Sequence, residues 1–369
     1  MSPLRRSWLK GLAGALGAAW LPDVRSQTAA DKVQRGRRLE FPRDHGAHLD
    51  ARTEWWYATG WLSRFGEEPP SHGFQVTFFR SRTGLAASNP SRFAARHLLF
   101  AHAAITRLAD GVHAHDQRIA RWSDAPGAVL GAANTADGAV RLGDWRLQRE
   151  GGSWRAQVPA NGFALDLSLV PTQPLLLQGD AGFSRKGPAE SQASHYYSEP
   201  QLAASAGLGL GAERLTARGR AWLDHEWSDD LLHPEAVGWN WIGMNLFDGS
   251  ALTAFVLRRA DGSSLWAGGS YRRTGGGVTD FPPDAVQWAP GRVWRSPATA
   301  TSYPVQWQLQ TPAGRHTVRA LADAQELDSR NSTGAVYWEG LSELLDERGL
   351  RVGLGYLEMT GYVAPLRLG

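Results

Sequence analysis

Apolar and polar residues alternate over several stretches of the chain. Residues 74–78, 163–169 and 305–309 each place an apolar side chain at every second position. That period belongs to antiparallel strands with one buried face. Between such runs lie Asp110-Gly111, Asp137-Gly138, Asp248-Gly249 and Asp261-Gly262, dipeptides suited to type I′ hairpin turns. Glu150-Gly151-Gly152 separates residues 145–148 from 154–158 in the same way. Helical signals are few. Residues 91–104 follow Asn89-Pro90 and would permit a helix. A loop and then a strand over 98–108 is the better reading, because that strand runs straight into the Asp110-Gly111 turn. Residues 341–346 read as a short helical turn or a strand end.

Many short strands joined by tight turns predict an all-β fold, either a barrel or a sandwich. A length of 369 residues suits two domains or one large β domain. Residues 178–192 are rich in glycine, serine and charge, and form the best linker candidate. A boundary there gives halves at 31–185 and 186–369, each the size of one up-and-down barrel. Glu54 with Thr59-Gly60 and Glu358 with Thr360-Gly361 hint at an internal repeat, or at special roles for the first and last strands.

Composition narrows the chemistry. The chain has no cysteine, which excludes disulfides, thiolate metal sites and a cysteine nucleophile. Its formal charge of +3 comes entirely from residues 1–30, where Arg5, Arg6, Lys10 and Arg25 face only Asp23. The rest is neutral, so bulk charge gives no sign of a nucleic-acid partner. Lysine occurs only at positions 10, 32 and 186, which argues against Schiff-base or Walker-type lysine chemistry. Residues 1–30 combine Arg5-Arg6, a short apolar run over 11–21 and small residues beyond it. They look like a twin-arginine signal peptide. Such a leader predicts export of the folded protein to the periplasm or cell exterior.

Four segments concentrate aromatic, acidic and histidine residues. They are residues 48–60, which include Glu54-Trp55-Trp56-Tyr57; His195-Tyr196-Tyr197-Ser198; Trp222-Leu223-Asp224-His225-Glu226-Trp227 with Gly238-Trp239-Asn240-Trp241; and Tyr337-Trp338-Glu339-Gly340 with Glu358 beyond it. If residues 222–228 form a strand, Asp224, Glu226 and Ser228 share one face, and Leu223, His225 and Trp227 the other. Which face points inward stays open. Carboxylates enclosed in apolar surroundings must be paired or shift their pKa, which suits acid–base catalysis. The structural alternative is that Glu54, Glu226 and Glu358 pair with arginines. His45, His48, His195 and His225 with Asp224 and Glu226 form no recognisable metal motif, so neither a metal nor another cofactor is expected. No G-x-S-x-G elbow supports a serine hydrolase. His102 is read as a structural histidine.

These spaced motifs, closing with Thr360-Gly361-Tyr362, resemble the AttH-like, carotenoid 1,2-hydratase (CrtC)-like lipocalin family from about Arg43 to Tyr362. The resemblance implies two lipocalin-like antiparallel β-barrels packed together, with a cavity for a long apolar ligand. It also implies binding, and hydration or related acid–base processing, of an isoprenoid- or lipid-like molecule. On that reading Asp224, His225 and Glu226 are the catalytic candidates. Tyr196, Trp227, Trp239 and Trp241 would wall a cationic intermediate, and Glu54, Trp56, His195, Trp338 and Glu339 would complete the ligand site. The exported branch also implies an alternative, a non-catalytic carrier or accessory protein of an ABC-type envelope permease. A secreted hydrolase ranks third.

Overall fold

The computed structural model describes residues 33–64, 66, 69–84, 95–122, 130–230 and 232–366. The leader and residues 91–94 lie outside that set. Among the described residues the regular structure is β, apart from two 3-10 turns at Arg43–His45 and Pro283–Ala285. The strand over 98–108 is present as His97–Arg107, and residues 341–345 continue the strand Ala335–Leu345.

The first sheet has 13 strands. It begins with the meander Thr53–Ser63, His72–Arg82, His97–Arg107 and Val112–Trp122. The last connection is short, and Gly111 takes φ 70° in it, where a side chain would be strained. The opening strand Thr53–Ser63 pairs on its other side with Glu213–Ser228, the last strand of the sheet. That strand in turn pairs with Ala193–Leu210. The edge strands Val112–Trp122 and Gly131–Ala133 approach one another, so the sheet curls into a nearly closed barrel. Its interior is occupied by side chains, among them Trp56, Phe74, Phe78, Trp145 and Trp154. Large inward residues at every second position fill a barrel of this size.

The second sheet has 10 strands and repeats the closure rule. Its first strand, Gly238–Leu246, pairs with its last, Arg351–Met359, which pairs with Ala335–Leu345. Ile242, Met244, Trp338, Leu344, Leu357 and Met359 form its core. The expected division at 185/186 falls inside the first sheet, because Ala193–Leu210 and Glu213–Ser228 both belong to it. The change of sheet comes between Ser228 and Gly238. Residues 178–192 look like a linker in composition, yet their short strand Phe183–Arg185 hydrogen-bonds to Ala193–Leu210.

The two sheets pack through a third apolar cluster that includes Tyr57, Trp61, Trp222, Trp241, Phe255, Leu341 and Tyr356. Glycines permit the close approach. A Cβ on Gly73 would lie 2.7 Å from the Tyr356 hydroxyl, and one on Gly243 would lie 3.0 Å from the Trp222 ring. Polar contacts add register. A bulge between Glu199 and Leu202 puts Gln201 at φ 59°. Its Nε2 then donates to the carbonyls of Leu246 and Ser250 at 2.9 and 2.8 Å. The cost of the left-handed backbone is offset by buried hydrogen bonds to the second sheet.

Candidate functional site

Alternation along Glu213–Ser228 sends its motif residues to opposite sides of the first sheet, and so creates two polar clusters. Strand register shows which residues gather in each.

Inside the barrel end, Glu54, Trp56, His195, His225 and Trp227 share a face. Glu54 is the hub. Its carboxylate accepts from Arg80 Nε at 2.8 Å, lies 2.8 Å from His48 Nδ1 and lies 3.0 Å from His225 Nε2. Burial would raise the Glu54 pKa, but the Arg80 charge and the two imidazole contacts outweigh it and hold the group well below its ordinary value. His225 also lies 3.2 Å from the Tyr197 hydroxyl and stacks on Trp56 at 4.7 Å. Burial holds this imidazole below its ordinary pKa, against the pull of Glu54. His48 stacks on Trp227 at 3.6 Å. Facing atoms of His48, Glu54 and His225 lie within 4.8 Å of one another, as in a small-cation site. Here they bond directly to each other, and a cation would confront the Arg80 guanidinium on the same carboxylate. The chemistry of this donor set fits an ion-pair network that locks the barrel end. For Glu54, pairing with an arginine is what the structure shows.

On the other face, between the sheets, the arrangement differs. Tyr57, Asp224 and Ser198 stand in one row across three neighbouring strands of the first sheet. Glu339, Glu358 and Trp241 stand in a corresponding row across three strands of the second. The rows meet: the Tyr57 and Trp241 rings are 5.3 Å apart, edge to face. Asp224 accepts from Tyr196 Oη at 2.7 Å, Ser198 Oγ at 2.5 Å and Trp222 Nε1 at 2.7 Å. Burial raises its pKa to about 7, although these three donors favour the charged form. Trp241 Nε1 donates to the Tyr196 hydroxyl at 3.3 Å. Glu226, on the same face as Asp224, lies 3.0 Å from Lys186 Nζ and accepts from Ser194. The ammonium of Lys186 also sits over the rings of Tyr196 and Phe255, at 4.7 and 4.3 Å.

Glu339 and Glu358 have no arginine. They are direct partners across adjacent strands, and two carboxylates so placed repel. Burial, and then the charge of Glu358, raise the Glu339 pKa well above its ordinary value. Burial raises Glu358 to about 7, with Asp224 and Glu226 adding to the effect and Trp239 opposing it. Glu358 keeps partial solvent-accessible surface. The Tyr57 hydroxyl interacts with the Glu339 carboxyl, and neither the hydroxyl nor Glu339 Oε1 has a further partner among the described residues. Such atoms are rare in folded proteins and mark capacity for water or substrate.

The residues expected from sequence therefore divide. Asp224, Glu226, Tyr196, Trp239, Trp241 and Glu339 gather between the sheets. His225, Glu54, Trp56, His195 and Trp227 line the barrel end, and Trp338 lies in the second core, donating to the Asp323 carbonyl at 2.7 Å. Sequence reasoning left three members of the inter-sheet site unassigned: Glu358, Tyr57 and Lys186. Glu358 stood out by motif, whereas its opposition to Glu339 depends on strand register. Lys186 carried a signal in its rarity.

Comparisons with known proteins bear on the family and the fold. The AttH-like family profile matches residues 32–362. An AttH protein of Nitrosomonas europaea is 45% identical in sequence, with a TM-score of 0.82, over 90% of this chain and 99% of its own. Kievitone hydratase from Nectria haematococca shares the fold at 15% identity and a TM-score of 0.64, covering 89% of this chain and 94% of its own. CghA is similar at 14% identity and a TM-score of 0.50, over 86% and 89%. No curated protein matches the sequence. With two packed antiparallel sheets, the first a nearly closed barrel, a profile match over nearly its whole length and a 45% identical AttH structure, the chain belongs to the AttH-like family.

Proposed function

We propose that the inter-sheet site protonates an apolar, electron-rich ligand of isoprenoid or lipid type and adds water to it. The observation that carries this reading is the direct opposition of Glu339 and Glu358 across from Asp224. Two carboxyl groups held together retain a proton at neutral pH, whereas Asp224 is surrounded by three donors suited to a carboxylate. Environments that separate neighbouring carboxyls in this way assign an acid and a base. Glu339 gives its proton to one alkene carbon, and a cation forms on the other. The faces of Tyr57, Trp239 and Trp241 stabilise that cation. Asp224 takes a proton from water as the water oxygen bonds to the cation. One water is consumed, one alcohol forms, and the proton gained by Asp224 equals the one lost by Glu339. The shared fold of kievitone hydratase supports testing hydration before other acid–base reactions.

The test is incubation with acyclic isoprenoids in heavy-oxygen water. Wild-type protein incorporates label, and Glu339→Gln lowers incorporation by about a hundredfold or more. Absence of label, together with a co-purifying lipid that Glu339→Gln retains, would instead identify a carrier. We also infer export by the twin-arginine route, supported by Arg5-Arg6 and the short apolar run after them. That route makes an envelope lipid the natural ligand source.

A further inference from the structure

We propose that Ser332, His102 and Tyr337 form a proton path from the molecular surface to the buried Glu339 of the Glu339–Glu358 pair, with the His102 imidazole as the relay. This inference rests on the acid–base reading of that pair. If Glu339 gives up a proton in each turnover, it must be recharged, and burial separates it from bulk water.

His102 lies on strand His97–Arg107 of the first sheet, and its ring reaches across to the second. Nδ1 is 2.9 Å from the Tyr337 hydroxyl and Nε2 is 2.9 Å from Ser332 Oγ. Both partners are hydroxyls, which donate or accept as required. The ring is buried, stacks on Tyr337 at 5.7 Å and meets Phe79 edge to face at 5.1 Å. Burial, helped by the charge of His115, lowers its pKa to about 3, so it works as a neutral imidazole, accepting at one nitrogen while releasing at the other.

The two ends of the chain differ in exposure. Ser332 is half-buried in a turn whose Arg330, Asn331, Thr333 and Gly334 are exposed. Its Oγ donates to Gln117 Oε1 at 2.7 Å. Tyr337 is buried and two residues from Glu339 on strand Ala335–Leu345, so both side chains share a face. Burial and the nearby charges of Glu339 and Glu358 keep the phenol protonated. The Gln75 side chain lies against the same hydroxyl, and its Oε1 is buried without a partner. The Tyr57 hydroxyl interacts with the Glu339 carboxyl, and Gln75 Oε1 keeps free hydrogen-bonding capacity along the last stretch.

An inward transfer balances as follows. The Ser332 hydroxyl turns from Gln117 to Nε2 and gives it its proton, the Nδ1 proton moves to the Tyr337 oxygen, and the phenolic proton passes on towards Glu339. Water returns a proton to Ser332. No charge remains on the path, and before a second transfer the imidazole regains its Nδ1 proton by tautomer exchange or ring rotation, because reversing the hops would carry the proton back out.

Infrared spectroscopy of the full-length protein tests this without a substrate. First, a protonated-carboxyl band at neutral pH must be present and must diminish in Glu339→Gln. If it is absent, the acid–base reading fails and the path has no terminus. With the band present, its response to a rapid pH jump is followed. In His102→Gln and in Ser332→Ala the response slows by about tenfold or more while the midpoint pH is unchanged, and imidazole in the buffer restores the rate in His102→Ala. Equal rates in wild type, His102→Gln and Ser332→Ala would overturn the path and leave the acid–base reading intact. Near-ultraviolet circular dichroism verifies that each variant is folded.

Discussion

Glu339 and Glu358 are direct cross-strand partners in the second sheet, and among the described residues no arginine or lysine neutralises them. Their relationship is the inverse of that between Glu54 and Arg80, which are fully buried and 2.8 Å apart. One pair holds a proton, whereas the other holds charge.

Stability should accordingly depend on pH in a way traceable to Glu358. Its pKa rises from 4.5 to about 7 on folding. Between those values the folded state binds more protons than the unfolded one. The contribution is complete below about pH 4.5 and is lost as pH rises through about 7. At 1.36 kcal/mol per unit it amounts to about 3 kcal/mol. Denaturant unfolding at several pH values checks this, and Glu358→Gln should flatten the dependence.

The Glu54 network has the opposite sign. Its depressed pKa supplies stability that is present above the unfolded value and is lost as pH falls through the folded one. Arg80→Met leaves a carboxylate buried without its cation and should cost about 3–5 kcal/mol. A variant that unfolds at the wild-type denaturant midpoint would contradict this account.

Lys186 and Glu226 should behave as a second, separable pair. Their side chains are 9% and 7% exposed. Lys186→Met should destabilise by about 3–5 kcal/mol, and changing Glu226→Gln in the same chain should recover part of that loss. A double-mutant cycle with no coupling would show that the ammonium is held by the Tyr196 and Phe255 rings alone.

Asp224→Asn should retain the three donors' geometry in part but lose the base. Label incorporation should fall by about a hundredfold or more, with little change in the amount of bound lipid. Equal loss of lipid would assign Asp224 to binding.

The leader makes a further prediction. Replacing Arg5 and Arg6 with lysine should leave folded protein in the cytoplasm when export is followed by cell fractionation. Continued export would exclude the twin-arginine route.

Much of the fold was legible because alternation and turn dipeptides are local. Residues 74–78 became part of strand His72–Arg82 and residues 163–169 part of Phe163–Val170, while Asp110-Gly111, Asp248-Gly249 and Asp261-Gly262 became hairpin turns. The boundary at 185/186 misled because glycine, serine and charge describe solvent exposure and turning, not membership of a sheet. Sequence periodicity likewise put Asp224 and Glu226 on one face and His225 on the other, since a strand's side chains alternate whatever surrounds it.

What periodicity leaves undecided is the identity of each face. The packing of the second sheet against the first made the Asp224 face an enclosed acid–base site, and barrel closure made the His225 face a paired ionic core. Strand register, a relation between residues 19 apart in sequence, set Glu339 against Glu358. The amino-acid sequence by itself determined an all-β chain with acidic and aromatic motifs. Only the tertiary structure decided which carboxylates meet a cation and which meet each other, because a carboxyl group's proton affinity depends on its three-dimensional neighbours and not on its place along the chain.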